Sequence, residues 1–198
     1  MNIIMALCLG ISLSAACGFR VFIPPLALSI AFHSGVIQLS PDWQWLGTQN
    51  AIITLGIAAT VEIIAYFIPW VSNFLDSIEI GLAPLAGMFV TASTLSIAGD
   101  FDPTFLWIVT VIAGGATAET VELGTSLTRL VTSGSTAGVG APIVSFIEVS
   151  SSITMSILAI NAPNIAILLV IFLVIDGIRR IRKLNAKRKQ KRTVEDLS

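Results

Sequence analysis

The chain is 198 residues long, 55% hydrophobic and only 12% charged, with a net charge of −1 and a mean hydropathy of +0.89. Soluble globular domains carry about 25% charged residues, so the composition excludes one; the length admits about six spans of some 20 residues. The charge is placed unevenly: nine acids and two cations precede Asp176, while nine of the eleven Lys and Arg lie between Arg179 and Arg192.

The apolar stretch from Asn2 to Leu39 is too long for one ordinary span, and Gly18 and Pro24-Pro25 interrupt it. Proline removes an amide donor and clashes with the preceding turn, so this stretch reads as one span plus a short helix, or as a broken helix. No basic segment precedes it, and the apolar pattern runs on past Cys17, so the first span is expected to stay uncleaved. Cys8 and Cys17 lack the spacing and polar company of a disulfide framework or metal site and read as reduced thiols. Ser40 to Trp45 is a loop whose paired tryptophans suit an interface.

Spans follow at Ala51 to Trp70 and Leu82 to Ala98, with the polar run Ser72 to Glu79 between them expected at the surface. The acids Asp76, Glu79, Asp100 and Asp102 are accordingly expected to be surface charges. Gly99 to Pro103 is a turn. Thr104 to Val131 reads as a long helix that becomes polar after Thr117. Ile143 to Ile160 and Ile165 to Ile181 complete the set, joined at Asn161-Ala162-Pro163-Asn164. Residues 1–178 thus form a transmembrane domain and 179–198 a basic, partly disordered tail. Cations beside a span stay on the cytoplasmic side, which places the C-terminus there; six spans put the N-terminus on the same side and seven on the other.

An internal repeat with a period near 60 residues adds to this. Ala58-Ala59-Thr60-Val61-Glu62 returns as Ala118-Glu119-Thr120-Val121-Glu122, and Gly81 to Ala86 is answered by Gly138 to Ile143. Repeats of this kind, with sites at broken helices, occur in transporters.

Away from the tail, Arg20 and Arg129 are the only cations, and each sits among apolar residues. An ionisable group at membrane depth is a functional candidate. Thr132 to Pro142 is the least hydrophobic stretch of the membrane domain, and its composition disfavours helix. Non-helical backbone at that depth must line protein or a water-filled cavity. Ser133, Ser135, Thr136, Gly138 and Gly140 are therefore candidate anion ligands, together with Arg20 and Arg129, whose guanidiniums hold carboxylate or phosphate bidentately. Glu62, Glu119, Glu122 and Glu148 are the candidate proton or ion relay. Glu119 and Glu122 share a helix face, and Arg129 lies about two turns beyond Glu122. The bland alternatives are neutralised ion pairs, structural hydrogen bonds and an ordinary loop. His33 stands alone and reads as interfacial or packing. No Ser-His-Asp or Cys-His arrangement and no nucleotide-binding loop stands out, so neither an enzyme nor a cofactor is expected.

The segment Ser14-Ala15-Ala16-Cys17-Gly18-Phe19-Arg20-Val21-Phe22-Ile23-Pro24-Pro25-Leu26-Ala27-Leu28 resembles the N-terminal motif of the bacterial membrane family catalogued as domain of unknown function 4126. Ser133 to Pro142 is similar to that family's Ser/Thr/Gly-rich stretch, and the Glu62 to Pro84 region also fits. The resemblance covers roughly residues 5–175 and implies a small multi-pass inner-membrane protein, with no activity to carry over.

The expected architecture is thus all-α and membrane-spanning, with six or seven helices, broken or re-entrant segments and a hairpin repeat. The expected function is a transporter or channel for a small or lipid-linked anion, with a non-transporting scaffold as the alternative. Expected partners are membrane lipids, anionic headgroups at the tail and a second copy of the chain, but no nucleic acid.

Overall fold

The computed structural model describes residues 1–99, 101–136 and 141–195. Within them the chain forms eight α-helices and no strand. They are α1 (Ile3–Cys17), α2 (Ile23–His33), α3 (Gln49–Tyr66), α4 (Pro69–Leu95), α5 (Pro103–Val109), α6 (Ala116–Thr136), α7 (Ala141–Asn161) and α8 (Pro163–Glu195). A 3-10 helix, Pro41–Gly47, precedes α3, and a π-helical segment, Thr110–Gly115, joins α5 to α6.

Capping chemistry sets the element starts. The Asn2 side chain accepts from the Met5 amide, Thr48 from Ala51, and Asp102 from Thr104 and Phe105. Each satisfies an amide that the first helical turn leaves free. Prolines open α4, α5 and α8, where a missing N–H costs nothing. Among the described residues, four stretches are long and apolar enough to cross a membrane: Gln49–Tyr66, Phe74–Leu95, Pro103–Thr132 and Pro142–Asn161. α1 and α2 are apolar but shorter.

α1 is the central helix, buried from Leu9 to Cys17 apart from Ile11, and packed against α4, α6, α7 and α8. Small residues make this possible. A Cβ on Gly87 of α4 would meet Ser14 Oγ and the Gly114 carbonyl, and one on Gly18 would meet the backbone of α6 at Ala118. Close backbone approach through small residues is how helices associate in lipid. Ser14 donates to the Gly114 carbonyl within the π segment. A π turn disrupts the regular ladder, and such turns occur often at functional sites.

Along the apolar helices the outer face is apolar, and Arg20, Glu62, Glu79, Glu122, Arg129 and Glu148 are buried inside. Val61 is 60% exposed and its neighbour Glu62 is 5% exposed. That inversion is the arrangement of a membrane-embedded multi-pass protein, whose outer face meets hydrocarbon and whose charges point inward. Trp43 meets Phe89 of α4 edge-to-face and Trp45 meets it at a tilt, and His33 Nδ1 meets the Gly47 carbonyl at 2.8 Å.

The structure corrects two expectations about elements. Ser72 to Glu79 is part of α4, and Ser72 and Glu79 are buried. The helix α6 continues through Thr136. At its approach to the Thr132 to Pro142 stretch, Thr128 donates to the Gly124 carbonyl and Thr132 to the Thr128 carbonyl, so these hydroxyls bond within the helix, as threonine can, and do not draw the backbone out of it. Residues 137–140 lie outside the described residues.

Candidate functional site

The site begins at the gap between α1 and α2. Gly18 ends α1, and Pro24-Pro25 cannot donate to a preceding turn, so the chain breaks over residues 18–22. Breaking the ladder frees backbone amides. Those of Val21 and Phe22 donate to the carboxylate of Glu62, at 2.7 Å to Oε1 and 3.2 Å to Oε2. Glu62 therefore caps α2 from α3, where the helix dipole favours negative charge.

Arg20 leaves the same break and is completely buried. Its Nη2 donates to Glu148 Oε2 of α7 at 2.9 Å. Arg129 of α6 donates through its own Nη2 to that same oxygen, and through Nη1 to Asp76 Oδ1 of α4 at 2.5 Å. Tyr66, the last residue of α3, completes the cluster. Its hydroxyl donates to Asp76 Oδ1 at 3.0 Å. Its ring lies 3.6 Å from the Arg20 guanidinium carbon and 4.3 Å from that of Arg129. Cation–π contact of this kind gains strength where water is excluded. Five elements thus converge on one buried cluster: the α1–α2 break, α3, α4, α6 and α7.

Two further acids flank it. Glu79 of α4 stands within hydrogen-bonding reach of Glu62 and of the Tyr66 hydroxyl. Glu122 of α6 is buried and accepts from Ser126 at 2.8 Å. Five carboxyl groups accordingly face two guanidiniums. Several donors and acceptors are not used: Arg20 Nε and Nη1, Arg129 Nε and Glu148 Oε1 are buried with no hydrogen-bond partner among the described residues. Such atoms are expensive to leave unsatisfied, so the cluster has spare capacity for a polar ligand. A cavity of about 330 Å³ reaches its edge, lined by Val21, Phe22, Glu62 and Glu79 among apolar side chains of α3 and α4.

Of the residues singled out from the sequence, Arg20, Arg129 and Glu148 are brought into direct contact, and Glu62 and Glu122 lie around them. Glu119 is not brought in: it is part-exposed and meets none of the other charges. The side chains of Ser133, Ser135 and Thr136, and both Gly138 and Gly140, lie outside the described residues. Asp76 and Glu79 correct the expectation of surface charges, since both face the cluster. Tyr66 was not anticipated at all. For Asp76 and Glu79 the available signal was spacing: Ser72, Asp76 and Glu79 recur at i, i+4 and i+7, one face of a helix. Among the described residues, no group of three or more His, Cys, Asp or Glu is placed to hold a metal ion.

A family model described as Domain of unknown function (DUF4126) matches residues 7–183. No curated protein and no solved structure matches the chain.

Proposed function

The chain belongs to the family of that model, and from this premise we propose that it is a transporter or channel for a small anion, with Arg20 and Arg129 as the binding pair and the surrounding glutamates as the proton or ion relay. One observation carries the reading: Arg20 is fully buried at a helix break and keeps two donors free. A charge held at such depth is costly, and broken helices that present charges and free amides are where transporters bind solute. In this reading α1, with the break behind it, and the apolar first half of α8 bring the spans to six. Both ends then lie in the cytoplasm, with the basic tail against anionic headgroups of the inner membrane.

The pairing of both guanidiniums with carboxylates favours a second reading, a scaffold in which the cluster only locks helices. Water access separates the two. In a Cys8→Ser/Cys17→Ser background, Ser145→Cys places a thiol beside Tyr66, whose carbonyl Ser145 contacts at 3.4 Å. A membrane-impermeant thiol reagent should label this cysteine from one side of sealed vesicles. A site that stays unlabelled from both sides contradicts transport and leaves the scaffold.

A further inference from the structure

We infer that the N-terminus of α2, together with Arg20, is a seat for a carboxylate, and that Glu62 is its resident occupant, which a substrate carboxylate must displace. The inference rests on the transport reading and names the substrate class of that site.

The geometry of the occupant defines the seat. Each oxygen of Glu62 takes a different backbone amide, Oε1 that of Val21 and Oε2 that of Phe22. Two donors on successive residues, aimed at two oxygens on one carbon, suit a planar oxyanion better than a spherical halide. The helix behind the amides is 11 residues long, enough to supply the positive end of a dipole. Arg20 is the independent sign that a ligand belongs here. It precedes these amides in the chain, lies within electrostatic reach of Glu62, is wholly buried, and leaves Nε and Nη1 without a partner. Glu62 satisfies the amides but not those donors. A free carboxylate, unconstrained by attachment to α3, can engage the amides and the guanidinium together.

The cavity supplies the route and the room. Val21, Phe22 and Glu62 all line it, so it opens directly on the seat, and about 330 Å³ is within the size range of small-ligand pockets. A displaced Glu62 side chain swings into it. Glu79 lines the same cavity and stands within hydrogen-bonding reach of Glu62; that contact must break for the swing, which holds the seat closed until a competing carboxylate arrives.

The test uses the purified full chain in lipid nanodiscs, with pyruvate as the probe because it stays ionised at neutral pH, at constant ionic strength balanced with chloride. Glu62→Ala should bind pyruvate at least tenfold more tightly than the parent, and adding Arg20→Lys should abolish the gain. In the unaltered protein, pyruvate should increase carbodiimide modification of Glu62, read by mass spectrometry, because the carboxyl leaves its amides. That second readout needs no variant and still decides the matter if Glu62→Ala fails to fold. Equal affinity of parent and Glu62→Ala, a gain that survives Arg20→Lys, or labelling indifferent to pyruvate overturns the seat. Pyruvate flux without any gain in the variant sinks the seat and spares transport. A gain without flux in the parent does the reverse.

Discussion

Removing Glu148 should cost more than removing any other acid of the chain. Its Oε2 is the acceptor for both guanidiniums, and its side chain is 4% exposed. In Glu148→Ala, Arg129 keeps Asp76 but Arg20 loses its only side-chain acceptor among the described residues while remaining fully buried. Breaking a buried ion pair by deleting one partner costs about 3–5 kcal/mol, because the charge left behind is uncompensated. For a domain of this size, 1 kcal/mol moves Tm by about 2–4 °C, so a loss of roughly 6–20 °C is expected in mild detergent. Glu148→Gln retains one acceptor oxygen and should fall between the parent and alanine. Glu119→Ala is the matched control, since Glu119 meets no other charge, and should stay within about 0.5 kcal/mol of the parent. If Glu148→Ala and Glu119→Ala melt together, the two arginines do not depend on Glu148 and the cluster described above is wrong.

Tyr66 separates hydrogen bonding from ring contact: Tyr66→Phe deletes only the hydroxyl, with its bond to Asp76 and its contact with Glu79, and should cost about 1 kcal/mol. Tyr66→Leu also removes the face under two guanidiniums and should cost about 2 kcal/mol more, both read from detergent-dependent unfolding. Gly87→Val should prevent assembly, because its added atoms enter the Ser14–Gly114 contact where α1, α4 and the π segment meet; a monodisperse variant with parental Tm contradicts that packing. A C-terminal reporter that works only after export should be silent, since nine cations follow the last apolar segment and cations beside a span are as a rule retained on the cytoplasmic side.

How much of this was written in the sequence depends on the residue. Arg20 and Arg129 were legible because a lone cation in an apolar run has no reason to be there unless it is paired or functional. Glu148 was legible by the same logic, though its role as the acceptor shared by both was not, since α1 and α7 meet only in three dimensions. Ser72 to Glu79 misled because a polar run is read as solvent-facing, whereas in a membrane protein the polar face of an amphipathic helix turns inward. The 3.6-residue spacing of Ser72, Asp76 and Glu79 held the right answer. Tyr66 carries no periodic signal, and only the fold puts its ring against two guanidiniums. Glu62 and Glu122 stand at matching places of the Thr-Val-Glu repeat, yet their partners differ: Glu62 takes two amides of the α1–α2 break and Glu122 takes the hydroxyl of Ser126. Repetition in sequence can mark a residue as buried without saying what it meets.

The most direct test of the central claim is flux of radiolabelled pyruvate from proteoliposomes holding the parent chain or Arg129→Lys, each checked for parental Tm. Lysine keeps the charge and loses the planar fork, so it isolates anion recognition from charge balance. The account predicts flux above protein-free liposomes for the parent and at least a tenfold loss in Arg129→Lys. Equal flux in parent and variant, or a parent no faster than protein-free liposomes, would contradict it.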